Sequence, residues 1–153
     1  MRKFKVYLVN ILIALGVGSL SAFLTRNQMD IYSKLVQPPL SPPGWLFPIV
    51  WGILFLLMGI SASMIWLSDS FEKEKALTVY GIQLAVNFLW SLIFFNMQAY
   101  YLAFFWLLLL LVLIIIMIYK FSQINKTAAY LQIPYLLWVI FAGYLTLAIA
   151  ILN

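Results

Sequence analysis

The chain has 153 residues, 66% of them hydrophobic and 8% charged, with a mean hydropathy of +1.07. A soluble domain carries about 25% charged residues, so this is an integral membrane protein, with room for roughly five or six spans of about 20 residues and no separate soluble domain. With no Cys and no His, disulfides are excluded and the commonest zinc, copper and haem ligands are missing, and four acidic residues make a carboxylate metal cage or acid–base pair hard to assemble. No metal or cofactor is expected.

Five apolar runs follow in order, at 4–24, 45–67, 76–95, 100–119 and 128–152. Lipid offers the backbone no partners, and barrel-type alternation is missing, so the expected fold is all-α. It is one five-transmembrane-helix bundle over 1–153. MRKFK ahead of the first run also fits a signal peptide with a poor cleavage site at 18–22, but the run is long for that role and is counted as a span. Seven Lys and Arg (Arg2, Lys3, Lys5, Lys73, Lys75, Lys120, Lys126) fall on one side and two (Arg26, Lys34) on the other. These basic residues set orientation rather than bind nucleic acid: the N-terminus is cytoplasmic, and the first loop and C-terminus lie outside.

The first loop, 26–43, exceeds the roughly 12–15 residues beyond which a connection usually has a job. Asn27 and Asp30 signal a short helix running to about Val36. The loop is either a structured lid over one mouth of the bundle or a plain connector. It ends in QPPLSPPGWLFPIVW at 37–51, with five prolines and two tryptophans. The paired prolines cannot continue a helix, which resumes after Gly44 with Pro48 in its first turn. This stiff lead-in fixes Trp45 and Trp51.

Within the runs, small residues recur every four positions at Ala14, Gly18 and Ala22, and at Gly81 and Ala85, where helices can pack inside one bundle or against a second copy. The third helix carries Gln83, Asn87 and Ser91 at i+4 steps, with Trp90 and Phe94 nearby. Asn87, at mid-span, serves either as interhelical glue or as a hydrogen-bonding group for a ligand. The fourth helix has no polar residue between Tyr101 and Tyr119 and reads as lipid-facing wall. Trp45, Trp66 and Trp106 fit interface anchors. Trp51 and Trp138 lie deeper, each followed on its own face by a small residue, Gly59 and Ala142, that would leave room between helices. That composition suits an aromatic-walled cavity for a flat, largely apolar molecule.

Three blocks, PPLSPPGWLFPIVWGILFLLMGISA (38–62), QLAVNFLWSLIFF (83–95) and PYLLWVIFAGYLTLAIAILN (134–153), resemble the translocator protein family, also called tryptophan-rich sensory proteins or peripheral-type benzodiazepine receptors. The resemblance implies a bacterial cell-membrane protein, usually a homodimer, that binds porphyrins such as protoporphyrin IX, sterols and benzodiazepine-site ligands under the first loop. It implicates Trp51, Asn87 and Trp138 in the pocket, with Tyr32, Phe55, Trp90, Ser91 and Ala142 completing the lining. It also implies light-dependent porphyrin breakdown with Trp51 and Trp138 as the redox-active, catalytic groups. Two departures stand out: Thr146 replaces a usual Asn, and no basic residue follows Tyr144, which removes the motif proposed for cholesterol. A porphyrin receptor, a photo-oxidative enzyme, a passive or lid-gated transporter of tetrapyrroles or lipids, and a small structural subunit are the competing functions.

Overall fold

The computed structural model describes residues 2–28 and 30–153. Helix α1 (Arg2–Thr25) runs into a 3-10 turn (Arg26–Gln28), followed by the short α2 (Asp30–Lys34) and the proline loop. Then come α3 (Leu46–Trp66), α4 (Lys73–Ser91) continued by one π turn (Leu92–Asn96), and α5 (Tyr100–Ser122). The chain closes with α6 (Lys126–Leu131) and α7 (Ile133–Leu152). Among the described residues, five helical segments are long and apolar enough to cross a membrane, and the chain is a multi-pass membrane protein. The lid helix stops at Lys34, two residues short of the expected Val36. The fifth span is broken into α6 and α7 because Pro134 enters the first turn of α7 and supplies no N–H for the helix before it.

Around the bundle, α1 lies against α3 and α4, α4 against α5, and α5 against α7, while the C-terminal half of α3 rests on α6. Met58, Ala62, Ile65, Leu110, Ile114, Met117 and Phe121 form the dry centre. Large apolar side chains such as Leu12, Phe105, Val112 and Leu137 point outward, where lipid makes their exposure free of the usual cost.

Since lipid tails are as apolar as leucine, close packing and hydrogen bonds hold the helices together. At Gly59 the backbones of α3 and α1 nearly touch: a Cβ there would sit 2.6 Å from Ile11 Cα and 2.9 Å from its nitrogen. This corrects the expectation that Gly59 leaves room for a ligand; the space is filled by α1. The Ala14–Gly18–Ala22 stripe also works inside one chain. Ala14 is fully buried, and a Cβ at Gly18 would meet the Phe55 ring at 2.6 Å. Gly81 and Ala85, by contrast, face outward.

Two polar bonds lock the seams. Ser61 Oγ donates to the Ala128 carbonyl of α6 at 2.7 Å, and Trp106 Nε1 donates to the Val86 carbonyl of α4 at 2.8 Å. Trp106 is therefore a bridge between α5 and α4, not the interface anchor expected of it. Helix α5 is likewise no mere outer wall, since Leu107, Leu110, Ile114 and Met117 fill the centre. Trp45 and Trp66 are exposed near the ends of α3, as an interfacial belt requires.

Replacing Gly59 with Val must push α1 off α3 and should cost about 1–3 kcal/mol, a melting point lower by roughly 2–4 °C per kcal/mol. Gly16→Ala, at an exposed position of α1 with nothing within 4 Å, should leave the melting point unchanged or raise it. Equal melting points for the two variants in detergent would contradict the packing described.

Candidate ligand site

On the lid side the helices enclose a cavity of about 290 Å³. Helical spacing assembles it. On α3, Phe47, Trp51 and Phe55 follow at i+4 and point the same way; on α7, Trp138, Ala142 and Thr146 do the same. Asn87, Trp90 and Ser91 come from α4, Phe94 from the π turn, and Tyr32 covers the top. All eight residues expected to line a site (Tyr32, Trp51, Phe55, Asn87, Trp90, Ser91, Trp138 and Ala142) border this one cavity.

Aromatic rings set its walls. Tyr32 meets Phe47 edge-on at 5.0 Å between centroids, and Phe47 meets Trp138 at 5.9 Å. Trp51 lies 5.6 Å from Phe55 and 6.2 Å, edge-on, from Tyr135, while Trp90 stacks on Phe94 at 5.3 Å. Such edge and stacked pairs resist collapse, because each ring's position is fixed by its neighbour's quadrupole as well as by volume.

The floor is polar. Asn87 Nδ2 donates to the Tyr135 hydroxyl at 2.7 Å, and that hydroxyl donates to Gln83 Oε1 at 2.6 Å, joining α4 to α7. Asn87 is thus glue through one amide atom while still bordering the cavity. Ser91 shares a hydroxyl–hydroxyl bond with Ser21 of α1 and reaches the Phe88 carbonyl at 2.9 Å. Tyr32 is the one ionisable side chain on the lining, so no acid–base pair or nucleophile and base stand together there.

The first loop packs across this end of the bundle. Tyr32 is buried, its hydroxyl donates to the Pro42 carbonyl at 2.8 Å, and Gln37 Nε2 donates to the Tyr32 carbonyl at 2.6 Å. Burial pushes the Tyr32 phenol above its ordinary value. Two ties to α7 hold the loop down. Asn153 accepts from the Val36 N–H at 3.0 Å and donates to the Val36 carbonyl at 2.9 Å, and Tyr144 donates to the Pro39 carbonyl at 2.7 Å.

Sequence reasoning missed four contributors. Phe47 sits one turn before Trp51, so the i+4 rule would have reached it. Tyr135 shares the buried face of α7 with Val139 and Ala142, a pattern visible in the sequence. Phe94 was noted beside the amide face, but its place in the lining depends on a π turn that no local signal announced. The α1 wall, including Ser21 and Gly18, follows from a crossing that spacing cannot reveal.

A family model described as TspO/MBR family matches residues 10–152. The chain is 35% identical over 148 residues to the tryptophan-rich protein TspO of Chlorobaculum tepidum, covering 95% of this chain and 92% of that one. It is 37% identical over 132 residues to the translocator protein of Bos taurus, covering 84% and 78%. With the tryptophan-rich sensory protein of Cereibacter sphaeroides it shares 32% over 107 residues, or 70% and 66%.

Tyr135→Phe would leave the Asn87 and Gln83 amides without their shared partner and should cost about 1–2 kcal/mol, read as a lower melting point. Asn153→Ala should speed amide exchange at Val36 and through 30–37 while leaving α5 unchanged. Exchange in that segment as slow as in the parent would show that the ties do not hold the lid.

Proposed function

The chain belongs to the TspO/MBR family, and from that premise we propose that it is a membrane receptor for a flat, largely apolar molecule of the porphyrin or benzodiazepine-site type. One observation carries this reading: two deep tryptophans, Trp51 and Trp138, face a closed-topped cavity whose floor offers one amide, Asn87. Aromatic faces take a planar ring by stacking, and a single polar group fixes its orientation. At about 290 Å³ the enclosed volume lies at the low end of small-molecule sites, which run to roughly 1,000 Å³. A tetrapyrrole would seat one edge between the tryptophans and leave the other at the rim.

The lining favours a receptor over a hydrolytic enzyme, because its polar groups are one amide, several hydroxyls and indole N–H groups, with no nucleophile and base side by side among them. By the seven-to-two division of basic residues, the lid faces outward from a bacterial cell membrane. A homodimer belongs to the same reading: Gly81 and Ala85 are small residues that face outward, where a second copy can approach closely.

Titrating protoporphyrin IX into the purified protein should quench Trp fluorescence saturably. Trp51→Phe and Trp138→Phe should each weaken binding about tenfold, the equivalent of 1.4 kcal/mol. Unaltered quenching curves in both variants would reject the site. Repeating the titration in light and in darkness separates simple binding from Trp-dependent breakdown: a product formed only in light, and only with both tryptophans present, would make the protein an enzyme as well.

A further inference from the structure

We propose that the bundle has a buried water site beneath the floor of the cavity, between α4 and the α6–α7 break, where one water joins Gln83, Tyr80 and Gln132. The observation behind it is a cluster of shielded polar atoms with nothing to bond. Among the described residues, the Tyr80 hydroxyl, Gln83 Nε2 and both amide atoms of Gln132 are buried and have no hydrogen-bond partner. An unpaired amide in an apolar interior is costly, and such groups are ordinarily satisfied by an internal water with two to four polar partners.

Helix register brings these atoms together. Both α4 and α7 run toward the lid end, and the 2.6 Å bond from the Tyr135 hydroxyl to Gln83 Oε1 sets their relative level. Tyr80 precedes Gln83 by three residues and Gln132 precedes Tyr135 by three. Each therefore stands on the same face of its helix, about 4.5 Å lower. Phe121 of α5 lies 6.3 Å from Tyr80 between ring centroids, and Ala128 and Ala129 of α6 belong to the same packed cluster. Tyr80 is seven residues from Lys73, roughly 10 Å into the span, too deep for bulk solvent.

The chemistry of the set selects its occupant. Gln83 Oε1 is taken by Tyr135, so Nε2 is the atom left to donate. A water can accept from Gln83 Nε2 and from the Tyr80 hydroxyl and donate to Gln132 Oε1, and Gln132 Nε2 can then donate to the Tyr80 oxygen. A cation would face two amide NH2 groups, and an ion of either sign would find no countercharge among these side chains. With the water in place, one hydrogen-bonded chain runs from Asn87 through Tyr135 and Gln83 to Gln132, each bond polarising the next. It joins the break in the fifth span to the floor of the cavity.

Water-edited solid-state NMR of the 15N-labelled protein in lipid bilayers tests this in the parent chain. Polarisation from water should reach the side-chain amides of Gln83 and Gln132 well before the backbone amides of Ile114 and Met117 in the dry centre. Tyr80→Phe combined with Gln132→Met leaves a water only one of its three partners. That pair should abolish the water signal at the Gln83 amide and leave that of exposed Gln123 unchanged. Gln83 and Gln132 amides as slow as Ile114 and Met117 in the parent overturn the inference, as does a Gln83 signal that survives the double substitution.

Discussion

The close crossing of α1 and α3 at Gly59 governs the rest of the bundle. Two helices in lipid gain nothing from hiding apolar surface, so they attract only where backbones come near enough for dense contact. A hydrogen as the side chain of residue 59 permits this, with Ile11 atoms where a Cβ would be. The helices are pinned there, and α3 is tied to α6 by the Ser61–Ala128 bond. The cavity lies on the lid side of this crossing, bordered by Gly18 and Leu15 of α1 and by Trp51 and Phe55 of α3.

What keeps the cavity from filling is a set of side chains that brace each other. Phe47, Trp51 and Trp138 are large and few-jointed, and each has an edge or face contact with another ring. Beneath them the Gln83–Tyr135–Asn87 chain spans α4 and α7 at a depth where an unpaired amide would cost several kcal/mol. The lid adds backbone-directed ties from Asn153 and Tyr144, both on the last helix. Opening the top thus means breaking several bonds at once.

Much of this was legible in the sequence, for reasons that are local. Apolar length marked the five spans, and the paired prolines marked where the lid must end and α3 begin. Spacing of i+4 grouped Trp51 with Phe55 and Trp138 with Ala142, because side-chain direction along a helix is fixed by its geometry. The failures are relational. Gly59 shares a face with Trp51 in the sequence, yet a crossing helix claims that level of the face; nothing local distinguishes a small residue that makes space from one that admits a backbone. Trp106 looked like a belt residue because its partner is the Val86 carbonyl, a group every residue carries. Asn87 could not be divided between glue and ligand contact by spacing, and the geometry gives it a part in the floor of the cavity while binding it to Tyr135. The π turn after Ser91 re-aims Phe94 without any residue that demands it.

The most direct test of the account is a crystal structure of the protein with protoporphyrin IX bound in a lipidic phase. The account predicts ring density between Trp51 and Trp138, beneath Tyr32 and within hydrogen-bonding distance of Asn87. Density confined to the outer groove along Val50, Ile53, Pro134 and Leu137, with the space between the two tryptophans unfilled, would contradict it.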